Sequence, residues 1–184
     1  MVLVMIVFLI VLISYGNVKD EGMTIVGMSS KTDGDGFGKF AKLNVNLNNA
    51  YFLNDTFTHL FSLNYQQVIN GSTLDSSETI SLGGPYGVRA YNNGDGEGDN
   101  AVVAIFGLRM ATPLKDFYIT PFYNIGYSWY ENDSTNYMDA YGLQLLYNKT
   151  GNFYVKLDLA RALKKYKLDD DYSSKAYVIF RKYF

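Results

Sequence analysis

Cysteine is absent from the 184-residue chain, histidine and tryptophan occur once each, and proline three times. Without thiols there is neither a disulfide framework nor a thiolate metal site. A single histidine, His59, leaves nothing from which to build an imidazole metal cluster or a Ser-His-Asp triad. Charge of one sign is also missing. Sixteen Lys and Arg against 18 Asp and Glu give a net charge of −2, with a pI of about 5.3, so no nucleic-acid partner is expected. The longest apolar run, Met1 to Ile13, would reach only about 20 Å as a helix, short of the roughly 30 Å of a bilayer interior. It is signal-like but lacks a preceding Lys or Arg and a small-x-small cleavage site. A gene-start artefact and a membrane-associated helix are the other readings, and residues 1–16 are set apart from the domain at 22–184. No enzyme activity, cofactor or metal is expected.

What the chain does have is aromatic residues: 17 Tyr and 12 Phe bring the aromatic share to 16%, while mean hydropathy is only −0.08. That combination predicts strands with one apolar and one polar face. Leu43-Asn44-Val45-Asn46-Leu47-Asn48 alternates almost perfectly. Phe57, His59, Phe61, Leu63 and Tyr65 share a face, as do Val102, Ala104, Phe106, Leu108 and Met110. Phe117, Ile119, Pro121, Tyr123, Ile125, Tyr127 and Trp129 oppose Tyr118, Thr120, Phe122, Asn124, Gly126 and Ser128. The runs at 141–147, 153–160 and 175–184 continue the pattern, with Lys182 interrupting the last. Arg109, Lys156 and Asp158 fall on polar faces, as pore lining or as ordinary lumen polarity.

The segments are longer than the five or six residues usual in soluble domains and match the roughly 9 to 11 of a tilted transmembrane strand. Aromatic residues gather at segment ends, Trp129 among them, as interfacial girdles do. Long, acidic, asparagine-rich connections alternate with short ones. The fold class expected is therefore all-β: an antiparallel transmembrane β-barrel. Asp33-Gly34-Asp35-Gly36 and the acidic run at 95–99 lack the twelfth-position Glu of a calcium loop.

The longest connection, 69–99, carries Leu82-Gly83-Gly84-Pro85-Tyr86-Gly87-Val88-Arg89-Ala90-Tyr91, followed by Glu97 and Asp99. This string resembles the central loop of the two-partner secretion transporters, the haemolysin and filamentous-haemagglutinin secretion/activation proteins of the BamA-like superfamily. The resemblance implies about eight C-terminal strands of a sixteen-stranded barrel whose loop folds inward. It also implies that Arg89 is anchored on Phe122 and Asn124 of the inner wall, where the family has an acid in place of Asn124. Ala90 replaces a family glycine and so denies that position an easy positive φ. Glu97 and Asp99 would support the loop or simply keep an external loop soluble, and Phe184 would be the signal read by the barrel-assembly machinery.

The function so implied is translocation of an unfolded, haemolysin- or adhesin-like exoprotein across the bacterial outer membrane, by a truncated or split copy. A small porin or adhesin barrel and a nonfunctional gene remnant are the alternatives. Expected partners are the secreted exoprotein, outer-membrane lipid, the assembly machinery and a missing N-terminal half.

Overall fold

Ten strands account for most of the residues that the computed structural model describes, which are 4–18, 38–69, 73–130, 135–149, 152–165 and 173–183. In chain order they are β1 (Val4–Val18), β2 (Gly38–Phe52), β3 (Phe57–Val68), β4 (Ile80–Ser81), β5 (Glu97–Gly98), β6 (Asn100–Ala111), β7 (Phe117–Trp129), β8 (Thr135–Lys149), β9 (Phe153–Ala162) and β10 (Ser174–Lys182). Eight of them form one sheet in the order β1-β2-β3-β6-β7-β8-β9-β10, and β4 pairs with β5 in a small second sheet. All ladders are antiparallel. The large sheet is thus a meander, interrupted only where the loop between β3 and β6 leaves it.

Side-chain hydrogen bonds set the short turns. Asn54 Oδ1 accepts from the Thr56 and Phe57 amides at 2.9 and 2.8 Å, the Asx geometry that lets asparagine replace a backbone turn. Between β6 and β7, Thr112 Oγ1 donates to the carbonyls of Leu114 and Phe117, and Asp116 takes φ 63°, a value aspartate tolerates better than most residues.

Period-two alternation gives the sheet two unlike faces. One carries Phe106, Tyr127, Tyr141, Leu143, Leu159, Val178 and Phe180, all exposed. The other, called the inner face here, carries small and polar residues and receives the loop. The principal core lies between them: Leu82, Val88, Ala90 and Tyr91 of the loop pack on Ala101, Val103, Phe122, Met138, Ala140, Ala160 and Ala162. Alanines on the wall leave the depth that the larger loop side chains fill.

The expectation of an all-β antiparallel chain holds, but that of a transmembrane barrel does not. β1 and β10 are the two edges of the large sheet and do not pair with each other; the sheet is neither closed nor strongly curled. The resemblance to two-partner secretion transporters and the BamA-like superfamily falls on that observation. So do exoprotein translocation by a truncated or split copy, the porin or adhesin barrel, and the outer-membrane location. The physical reason is that alternation specifies two faces, and alternating loop lengths specify a meander. Neither specifies closure, which needs edges matched in length and stagger. Here β1 has 15 residues and β10 nine. The apolar run set apart from the domain contributes β1, paired with β2 from Val4↔Phe52 to Val18↔Gly38.

Candidate functional site

The loop is a self-bonded unit before it is a docked one. Ile80↔Gly98 and Ser81↔Glu97 close its base. Above them the Leu82 and Gly83 amides donate to the Asp95 carbonyl, Val88 to Leu82, Gly84 to Tyr91 and Tyr91 to Val88. Asp95 Oδ2 accepts from the Asn92 amide at 2.8 Å. Gly84 sits at φ 110°, in the region that favours glycine. Gly83 and Gly87 are required for a different reason: a Cβ there would lie 2.1 Å from the Asn92 carbonyl oxygen and 2.2 Å from that of Leu82. Ala90, by contrast, has no positive φ and packs its methyl fully buried in the core. The concern raised by alanine at that position does not arise.

Arg89 fastens this unit to the sheet. Its guanidinium carbon lies 3.3 Å from the centroid of the Phe122 ring. Nε donates to Asn124 Oδ1 at 3.3 Å, while Asn124 Nδ2 donates back to the Gly87 carbonyl at 3.2 Å. Asn124 therefore grips both the arginine and the loop backbone. Nη1 lies 3.3 Å from Asp158 Oδ1, which also accepts from Gln144 Nε2 at 2.8 Å. Lys156 Nζ is 2.9 Å from Asp158 Oδ2. That oxygen makes no directed hydrogen bond, so the Lys156 contact is coulombic rather than angularly well formed. Gly142 makes the stack fit: a Cβ there would meet the Phe122 ring at 2.4 Å. Phe122 is thus held between Gly142 and Arg89.

Arg89 is 6% exposed and Asp158 0%. Burial pulls the Arg89 guanidinium below its ordinary pKa, and the Asp158 carboxylate opposes that shift. The group remains charged in any case, so its desolvation is offset by the ring, the amide and the carboxylate. A second anchor is Tyr91, whose hydroxyl donates to the carbonyls of Lys164 at 2.6 Å and Asp139 at 3.2 Å. At the loop base, Asp99 Oδ1 accepts from the Leu74 amide, and Ser128 Oγ donates to the Gly96 carbonyl at 2.8 Å.

Among the residues singled out from sequence, the structure brings Arg89, Phe122 and Asn124 together, with Gly83, Gly84, Gly87 and Val88 shaping the loop around them. Tyr91 and Asp99 are buried loop fasteners. Glu97 is exposed and takes part through its carbonyl, which accepts from Asn136. Phe184 lies outside the described residues. The residue missed was Asp158 as the counter-charge of Arg89. It had been placed on the polar face of its strand, but nothing in its local pattern tied it to a residue so far upstream.

The arrangement is a latch with a cavity beneath it. Among the described residues no group of three or more His, Cys, Asp or Glu side chains converges to hold a metal. His59 sits on the apolar outer face between Tyr51 and Leu108. No family model, no curated protein and no solved structure matches the chain.

Proposed function

We propose that this chain is a non-catalytic binding scaffold that completes its open sheet with a β-strand from a second polypeptide, taken along the free edge of β1. The observation that carries this reading is the contrast between the two edges. Every residue from Val4 to Ile13 is exposed, from 43% at Ile6 to 74% at Ile13, and none is charged, Gly or Pro. Edge strands that must stay unpaired are short, charged or interrupted by proline. β10 has such protection, with nine residues that include Lys175, Arg181 and Lys182; β1 has none. Pairing along β1 would satisfy its outward backbone groups and cover apolar side chains at once.

A uniformly apolar strand specifies register weakly, so the incoming strand must supply it through its own alternation. β2 is the pattern that β1 already accepts, with Asn44, Asn46 and Asn48 interleaved with Val45 and Leu47. A synthetic peptide spanning residues 39–52 is therefore the probe. It should slow amide exchange along β1 in the full chain, and Leu9→Lys with Val11→Lys should abolish that protection. Concentration-dependent dimerisation lost in the same variant would place the strand in a second copy. Absence of both effects would overturn the proposal.

A further inference from the structure

A cavity of about 780 Å³ lies between the loop tip, at Pro85, Tyr86 and Arg89, and the inner face of the sheet. Its walls carry three cations, Arg89, Arg109 and Lys156, and no carboxylate. Asp158, fully buried behind the wall, is shared by Arg89 and Lys156. One negative charge therefore stands against three positive ones. Arg109 has no carboxylate within ion-pair distance among the described residues; its guanidinium carbon lies 5.8 Å from the centroid of the Tyr118 ring.

Two donors in this cavity lack acceptors. Arg109 Nε and Thr120 Oγ1 are both buried and without a hydrogen-bond partner, and Thr120 is only 3% exposed. Their adjacency is built into the sheet. The β6–β7 register pairs Gly107 with Phe122 and Met110 with Ile119, and skips Leu108 and Arg109. Pro121 has no N–H to give there, which leaves Arg109 facing Thr120 across a gap in the ladder. Buried donors without acceptors are costly and uncommon, and an excess of positive charge in a partly enclosed space compounds the cost.

We infer that the cavity binds a small divalent oxyanion, a dicarboxylate or a phosphate ester, whose charged group is held by Arg109, Thr120 and Lys156. An oxyanion supplies the missing acceptors to both orphan donors, and a divalent one matches the two uncompensated charges. Arginine suits the task because its fork can grip a carboxylate or phosphate through two parallel bonds. The amide of Gln144 and the ring of Tyr154 complete the wall. Ile6 and Phe8 of β1 also line the cavity, but none of the three side chains that hold the anion lies on that strand, and the inference goes beyond the scaffold reading.

The test is calorimetric titration of the full chain with succinate and, separately, with glycerol 3-phosphate at low salt. At least one should bind, and which one does distinguishes carboxylate from phosphate. Arg109→Gln should weaken that binding about tenfold or more, the loss expected for a charge-assisted hydrogen bond. Arg161→Gln, on the exposed outer face, should leave it unchanged. Should Arg109→Gln not fold, Thr120→Val serves instead, because it keeps the shape and removes only the donor. No binding of either probe up to about 10 mM, or binding unmoved by these cavity variants, overturns the inference.

Discussion

The latch can be dissected by a double-mutant cycle on Arg89 and Asp158. Arg89→Ala removes the stack on Phe122, the hydrogen bond to Asn124 and the ion pair with Asp158. Breaking a buried pair usually costs about 3–5 kcal/mol, because the remaining charge is stranded. Asp158 is not stranded here, since it keeps Lys156 and Gln144. The lower end, about 3 kcal/mol, is therefore expected. Asp158→Asn leaves Arg89 and Lys156 without their shared counter-charge and should cost a similar amount. The two losses overlap, and a coupling energy of about 1–2 kcal/mol should appear in urea unfolding of the wild type, both single variants and the double variant. Amide exchange supplies a local readout. The Val88 and Tyr91 amides, bonded to Leu82 and Val88 carbonyls, should exchange faster in Arg89→Ala while the β7 ladder stays protected. A coupling below about 0.5 kcal/mol with unchanged loop exchange would refute Arg89 and Asp158 as one unit.

Two further outcomes follow from the same geometry. Gly142→Ala drives a methyl into the Phe122 ring and the Leu159 carbonyl and should destabilise by about 1–3 kcal/mol, as overpacking does; an unchanged urea midpoint would mean that Phe122 is free to move. The Tyr123 hydroxyl is pushed up to about 12, first by burial and then by its contacts with Tyr137 and Asp139. Since an unfolded tyrosine ionises near 10, its contribution is whole below that pH and is lost as pH rises toward 12. The stability difference between wild type and Tyr123→Phe should therefore shrink across that window, and a constant difference would exclude the shift.

Period-two patterning made the strands legible wherever one face is wet and the other apolar, as in the run from Phe117 to Trp129. It failed on Val4–Ile13, where both faces are apolar and a strand looks like a signal or a short helix. The start of β8 at Thr135 was also hidden, because Asn136 and Asp139 are polar residues on opposite faces. The pairing of Asn124 with Arg89 was what the resemblance implied, and alternation added only that Asn124 lies on the polar face of its strand. Asp158 could not be tied to Arg89, since pairing across three strands depends on a register that no local pattern encodes. Closure is the furthest from the sequence of all, being a relation between the first and last strands.

With its edges unjoined, a sheet has a soft bending motion that ladder hydrogen bonds resist only weakly. The loop crosses that motion like a tie rod. Its base is fixed near β2 and β3, where Lys42 pairs with Glu78 and Gln66 donates to the Asp99 carbonyl. Its tip is fixed to β7 and β9 through Asn124 and Asp158. The distance between those strands is thereby held by a handful of side chains, with Arg89 and Tyr91 at the far end of the tie.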